Sequence, residues 1–232
     1  MKSMRGQQWL SVRRYLDTLV CLLSLPIVVP LAAIAMAAVW LNDRHLPLVR
    51  LTRVGRNGED LHLVKIRSMT PNEGPGVTAS GDDRITPVGA ALRQWRLDEI
   101  PQIFEVVRGD MALIGPRPEA PEFVDLDDPI WQDVLSVRPA IAGMTQLIAS
   151  PWEDSQLALV DPETAYRGIA VPAKTAIDRW YIENASPSLD IQIVAALFNR
   201  FLRSQTWTSI HDTVEREIPA ASPLLGCQRV AS

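Results

Sequence analysis

The sequence predicts an α+β fold. A long apolar helix inserted in a membrane precedes a small, mostly helical domain that carries one short β-hairpin. Three observations point there. Residues 18–41 run for 24 positions without a charge, enough for a helix to cross a bilayer core. Between Leu48 and Ile66 apolar residues alternate on either side of Gly55-Arg56-Asn57-Gly58, the pattern of two strands joined by a tight turn. Beyond Thr86 the period changes to that of helices, at residues 86–95, 174–184 and from Ser186 onward.

Composition narrows the classes. The 232 residues can form one water-soluble domain with its own core besides the membrane segment. A net charge of −4 gives no global attraction to nucleic acid. Cys21 and Cys227 lie far apart, in an apolar run and a terminal stretch. They make no disulfide framework and fit a reducing compartment. Three histidines, His45, His62 and His211, offer no metal-binding Cys/His spacing.

The first element begins with a basic lead-in, Lys2, Arg5, Arg13 and Arg14 against Asp17. Trp40-Leu41-Asn42 offers no small-residue cleavage site, so the apolar run is not read as a signal peptide. A single spanning helix is the simplest reading, and two features oppose it. Pro26 and Pro30 interrupt the run, with Ser24 placed to satisfy a carbonyl freed at a kink. Arg44, Arg50, Arg53 and Arg56 make the second flank as basic as the first. Positive-inside logic then puts both ends in the cytoplasm, which a re-entrant hairpin satisfies and a spanning helix does not. From the residues alone both topologies stand.

After the hairpin, Lys65 sits in Lys65-Ile66-Arg67-Ser68-Met69, which alone would be a solvated strand end. Residues 70–81 are rich in Pro, Gly and small polar residues and read as a loop. Residues 86–95 form a helix with Val88, Leu92 and Trp95 as its apolar stripe and Arg93 on another flank. Next, Leu97-Asp98-Glu99-Ile100-Pro101 reads as a helix start, Asp98 at the cap, running on to a stop at Gly109. Residues 120–137 hold two short helices broken at Pro129, and residues 152–168 are acidic and irregular. In the helix from Ser186, Ile191, Val194, Phe198 and Phe201 share one side. That side either packs in the core or lies on the membrane surface.

Residues 82–119 carry the chemistry. Two adjacent carboxylates, Asp98 and Glu99, lie among Arg84, Arg93, Arg96, Arg108 and Arg117, the last held between Pro116 and Pro118. Acids at a helix start can serve merely as cap and dipole partner. Five arginines around them go beyond that need. Asp83-Arg84-Ile85-Thr86-Pro87-Val88-Gly89, Leu97-Asp98-Glu99-Ile100-Pro101-Gln102 and Gly109-Asp110-Met111-Ala112-Leu113-Ile114-Gly115-Pro116-Arg117-Pro118-Glu119 follow in that order. This succession closely resembles the core of the bacterial sugar transferases, the polyprenyl-phosphate sugar-1-phosphate transferases or monotopic phosphoglycosyl transferases. Ile100, Ala112 and Ile114 are mild departures, and Ala140 in Val137-Arg138-Pro139-Ala140-Ile141-Ala142-Gly143 replaces a family glycine.

The resemblance implies a membrane enzyme that moves a sugar-1-phosphate from a UDP-sugar to undecaprenyl phosphate and releases UMP. It would initiate a surface polysaccharide or glycoconjugate. By the same resemblance Asp98 is the nucleophile, Glu99 the Mg2+ ligand, and Lys65, Arg93 and Arg117 phosphate contacts. It also favours re-entry, with a kink at Ser24 and Pro26 and the domain on the cytoplasmic face of the inner membrane. The implied division is 1–46 for lead-in and membrane segment, 47–205 for the catalytic domain and 206–232 for a C-terminal tail. Two other classes compete: a metal-dependent phosphohydrolase using the same acids, and a catalytically silent membrane scaffold.

Overall fold

The computed structural model describes residues 2–70, 82–156, 161–201 and 208–225. Helix α1 (Lys2–Asp43) continues through both prolines and is long and apolar enough to cross a membrane. Pro26 lacks the N–H that would reach Leu22, so that carbonyl loses its helical donor. The Ser24 hydroxyl does not replace it, donating instead to the Cys21 carbonyl at 2.8 Å. Arg44, with a left-handed φ of 58°, ends the helix and stacks 4.3 Å over the Trp40 ring.

One face of α1 lies against the domain along most of its length. Trp9 and Leu10 pack on the main core. Cys21, Leu25 and Val28 meet Leu61, Leu63, Ile103, Val106 and Met111. Ala32, Ala35, Met36 and Val39 meet Ile66, Val88, Leu92 and Leu97. The steps of three and four residues are those of a single helical face. The remaining surface exposes Tyr15, Leu19, Leu23, Ile27, Ile34 and Leu41.

The predicted hairpin forms from β1 (Leu48–Val54) and β2 (Asp60–Ile66), antiparallel, with Val49 opposite Lys65 and Leu51 opposite Leu63. A 3₁₀ turn (Arg56–Gly58) joins them, with Asn57 and Gly58 at positive φ. The predicted loop, residues 70–81, falls almost entirely outside the described residues. Helix α2 (Pro87–Gln94) starts as expected, the Thr86 hydroxyl accepting from the Gly89 N–H at 2.9 Å. Gly89 is required there: a Cβ would stand 1.8 Å from the Ser68 carbonyl oxygen.

The helix start at the acid pair differs from the expectation. A 3₁₀ segment (Leu97–Gln102) leads into α3 (Ile103–Arg108), and its cap is Arg96 in left-handed conformation, not Asp98. The chain reverses sharply after α2, so Asp98 is already inside the first turn. Gly109 ends α3 as expected, at φ 92°. Two three-residue strands, β3 (Ala112–Ile114) and β4 (Ala140–Ala142), then pair in parallel with α4 (Pro129–Leu135) between them. As expected, residues 120–137 hold two short helical segments, a 3₁₀ turn (Pro121–Phe123) and α4, the second opened by Pro129 behind an Asp128 cap.

Residues 152–168 are not irregular where they are described. They belong to α5 (Met144–Gln156), α6 (Pro162–Ala165) and a π-helical turn (Tyr166–Ala170) leading into α7 (Val171–Asn184). Leu147, Ile148, Ile177 and Tyr181 form the centre of the main core. In α8 (Pro187–Phe201) the buried apolar residues among those described are Ile193 and Ala196, whereas Ile191, Val194 and Phe198 are 69%, 52% and 63% exposed. The core reading therefore fails for these three residues of the apolar side; the side chain of the fourth, Phe201, lies outside the described residues. Helices α9 (Thr208–Glu217) and α10 (Ser222–Leu225) add Ile210, Val214 and Leu224 to the same core.

Candidate active site

A cleft of about 1070 Å³ opens between the hairpin, the 3₁₀ segment, the loop after β3 and helices α5 and α7. Lys65, Arg93, Arg96, Asp98, Glu99 and Arg117 all line it, so every acid and phosphate contact named from the sequence reaches one cavity. Ser24 and Pro26 stand apart on α1. Period-two alternation aims Lys65 and Leu63 from β2, and Val49 and Leu51 from β1, at this cleft. Of the five arginines around the acids, Arg108 turns away and pairs with Glu105 and Asp110.

The two acids occupy different environments. Glu99 Oε1 accepts from Lys65 Nζ at 2.7 Å and from Arg117 Nη2 at 2.5 Å. Its Oε2 accepts from Arg96 Nη1 at 3.0 Å and from Arg117 Nη1 at 3.4 Å. Burial would raise this carboxyl, but Arg117, Lys65 and Arg96 together hold it well below the usual carboxylate range. Among the described residues no hydrogen bond reaches the Asp98 carboxylate. Burial pushes it above its ordinary value, against the pull of Lys65, Arg93 and Arg96. Burial likewise lowers the Lys65 ammonium, against Glu99. Among the described residues, neighbours in the same turn thus present one neutralised carboxylate and one with no hydrogen bond to either oxygen.

Arg117 is held by backbone geometry. Arg13 on α1 donates to the Ile114 carbonyl at 2.5 Å, and the Ala140 N–H donates to the Pro116 carbonyl at 2.7 Å. At Gly143 a Cβ would lie 2.1 Å from the Gly115 oxygen, so the turn after β4 can press directly on the turn after β3. Ala140 is accommodated as a fully buried strand residue opposite Ala112. Beneath the loop, Asp178 on α7 accepts from the Thr145 hydroxyl and the Arg117 N–H. Burial pushes the Asp178 carboxyl up to about 7.

Sequence reasoning passed over Arg96 as a Glu99 partner, because its left-handed turn leaves no mark in a non-glycine residue. It also passed over Lys174 and Asp178, where a signal existed. Lys174, Ile177, Asp178, Tyr181 and Ile182 follow the spacing of one helical face, and all five are buried. Charges on a core stripe are a mark of an internal network.

Comparison with known proteins gives the family. The family described as bacterial sugar transferase matches residues 8–204. The chain belongs to that family. A UDP-N-acetylgalactosamine-undecaprenyl-phosphate N-acetylgalactosaminephosphotransferase of Aeromonas hydrophila is 33% identical over 192 residues, 79% of this chain and 42% of the relative. A putative undecaprenyl-phosphate N-acetylgalactosaminyl 1-phosphate transferase of Bacillus subtilis is 35% identical over 64% of this chain and 79% of its own length. A UDP-glucose:undecaprenyl-phosphate glucose-1-phosphate transferase of Caulobacter vibrioides is 36% identical over 58% of this chain and 53% of its own. This sugar transferase chain therefore spans only about half of two of these relatives.

Proposed function

We propose that this protein transfers a sugar-1-phosphate from a UDP-sugar to undecaprenyl phosphate in two steps through Asp98. The observation that carries the reading is the asymmetry of the acid pair. Glu99 is engaged by three cations, while among the described residues no hydrogen bond reaches either Asp98 oxygen in the cationic cleft. A carboxylate oxygen of Asp98 attacks the β-phosphorus. The bond from that phosphorus to the bridging oxygen breaks, and UMP leaves with the electron pair. An oxygen of undecaprenyl phosphate then attacks the same phosphorus and restores the Asp98 carboxylate. Lys65, Arg93, Arg96 and Arg117 offset the charge on the phosphate oxygens, Arg117 with a fork that can hold two at once.

The donor set also suits Mg2+, which takes hard oxygen ligands. Glu99 Oε2, the more loosely held of the two oxygens, is the protein ligand we assign, and when bound the ion would neutralise diphosphate charge. The packing of α1 supports a re-entrant membrane placement. Cys21 to Val39, the middle of the apolar run, pack on the same domain that carries the cleft. A helix crossing the bilayer would carry those domain residues into the hydrocarbon. A helix dipping into the cytoplasmic leaflet would not, and the exposed Ile191, Val194 and Phe198 of α8 suit the same interface.

The test is covalent labelling with a UDP-sugar labelled at the β-phosphate, without lipid acceptor. Wild type should retain label and release UMP. Asp98→Asn should retain none, and Glu99→Gln should label slowly but still at Asp98. Label mapped to Glu99, or full turnover by Asp98→Asn, would overturn the assignment.

A further inference from the structure

We infer that the far end of the cleft, around Glu153, is the subsite for the donor's sugar ring, an inference that rests on the donor proposed above. Lys174 Nζ there donates to Glu119 Oε2 at 3.0 Å, to Glu153 Oε1 at 3.3 Å and to the Tyr166 hydroxyl. Tyr166 donates in turn to Glu119 Oε2 at 2.7 Å. Lys174, Tyr166 and Glu119 are thereby paired with one another. Glu153 differs: its side chain is 28% exposed in the cleft, and among the described residues no hydrogen bond reaches its second oxygen. Ser150, one turn earlier on α5, also lines the cleft, and its hydroxyl keeps lone pairs while donating to the Gln146 carbonyl at 2.7 Å.

Charge assigns the occupant. Two carboxylates against one ammonium leave this end net negative, unsuited to phosphate. An acceptor-only carboxylate is matched by hydroxyl donors, which a hexose ring supplies in number. Position agrees. The half-buried Arg117 holds Glu99 at 2.5 Å, and Glu119, two residues on, shares Lys174 with Glu153, so Arg117 links the reacting carboxylates to this end of the same cleft. A phosphate on Arg117 would place the sugar, one ester oxygen away, towards Glu153. The UMP portion must depart in line, away from Asp98.

The experiment compares UDP with UDP-glucose and UDP-N-acetylgalactosamine on purified full-length protein, measuring inhibition constants for UDP and binding constants for both sugar nucleotides. Glu153→Ala should leave UDP affinity within about twofold and weaken at least one sugar nucleotide about tenfold or more, the scale of losing a charged hydrogen bond. Glu153→Gln, which keeps one acceptor, should fall between, with an unchanged melting temperature. Equal weakening of UDP and sugar nucleotides would put the nucleoside there, and unchanged affinity for all three would leave Glu153 structural. Either result overturns the subsite. Wild type that binds none of the three would overturn the donor reading, and this inference with it.

Discussion

Glu99 and Asp98 show how much two adjacent residues can differ when one turn of helix faces them in different directions. Three cations converge on Glu99, and Arg117 is the one that uses two nitrogens on it. Arg117→Lys keeps the charge and loses the fork. We expect a loss of ~1–3 kcal/mol in kcat/KM, with Lys65 still on Glu99; unchanged turnover would make Arg117 a structural partner alone. Asp178 invites a different measurement. Burial raises its carboxyl from the usual 3.8 to about 7, so between those values the folded chain binds a proton that the unfolded chain does not. Stability from this group is complete below pH ~4 and is lost as pH rises towards 7, by up to ~4 kcal/mol. Asp178→Asn should therefore flatten the fall in melting temperature from pH 5 to pH 8 and leave the variant the more stable at pH 8. Parallel curves for the two proteins would refute the assignment.

At the scale of elements, the local patterns were legible and the long-range pairings were not. Alternation and Asn57-Gly58 placed the hairpin, Thr86 the start of α2, and Gly109 the end of α3. The parallel pair β3–β4 escaped, because three-residue strands have no period to read and their pairing joins segments 28 residues apart, Ala112 with Ala140. Residues 152–168 misled because Pro151 and a run of acids look like a loop, while tertiary packing of Trp152 and Tyr166 holds them helical. The candidate site was legible as a set of residues, since Lys65, Arg93, Asp98, Glu99 and Arg117 do share one cleft; its supports were not. Gly143 is such a support. Gly143→Ala would press a Cβ to 2.1 Å from a backbone oxygen that cannot swing aside. The expected cost is ~2 kcal/mol, a fall of roughly 4–8 °C in melting temperature, with slower labelling at Asp98. Gly168→Ala, where a Cβ meets nothing within 4 Å, should do neither.

At the scale of the whole molecule, the apolar helix and the domain form one body. Buried polar contacts fasten its first half: Arg13 bonds Tyr181 at 2.5 Å and Asp190 at 2.7 Å, and Trp9 bonds Asp190 at 2.8 Å. Three apolar clusters continue the seam as far as Val39. Detaching the second half to cross a bilayer would expose Leu61, Leu63, Ile66 and Leu92 to water. At ~1.5–3 kcal/mol for each side chain so exposed, that cost would rival the net stability of a domain. The basic flanks act in the same direction, since a spanning helix would export either Arg13 and Arg14 or Arg50, Arg53 and Arg56. Single cysteines at Ser3 and Glu59, in a Cys21→Ala, Cys227→Ala background, report the two ends separately. Both should stay unlabelled by a membrane-impermeant maleimide added to intact cells, and both should label once the inner membrane is opened. Labelling of one and not the other in intact cells would establish a spanning helix, and the packing of α1 on the domain would then have to be given up with the re-entrant topology.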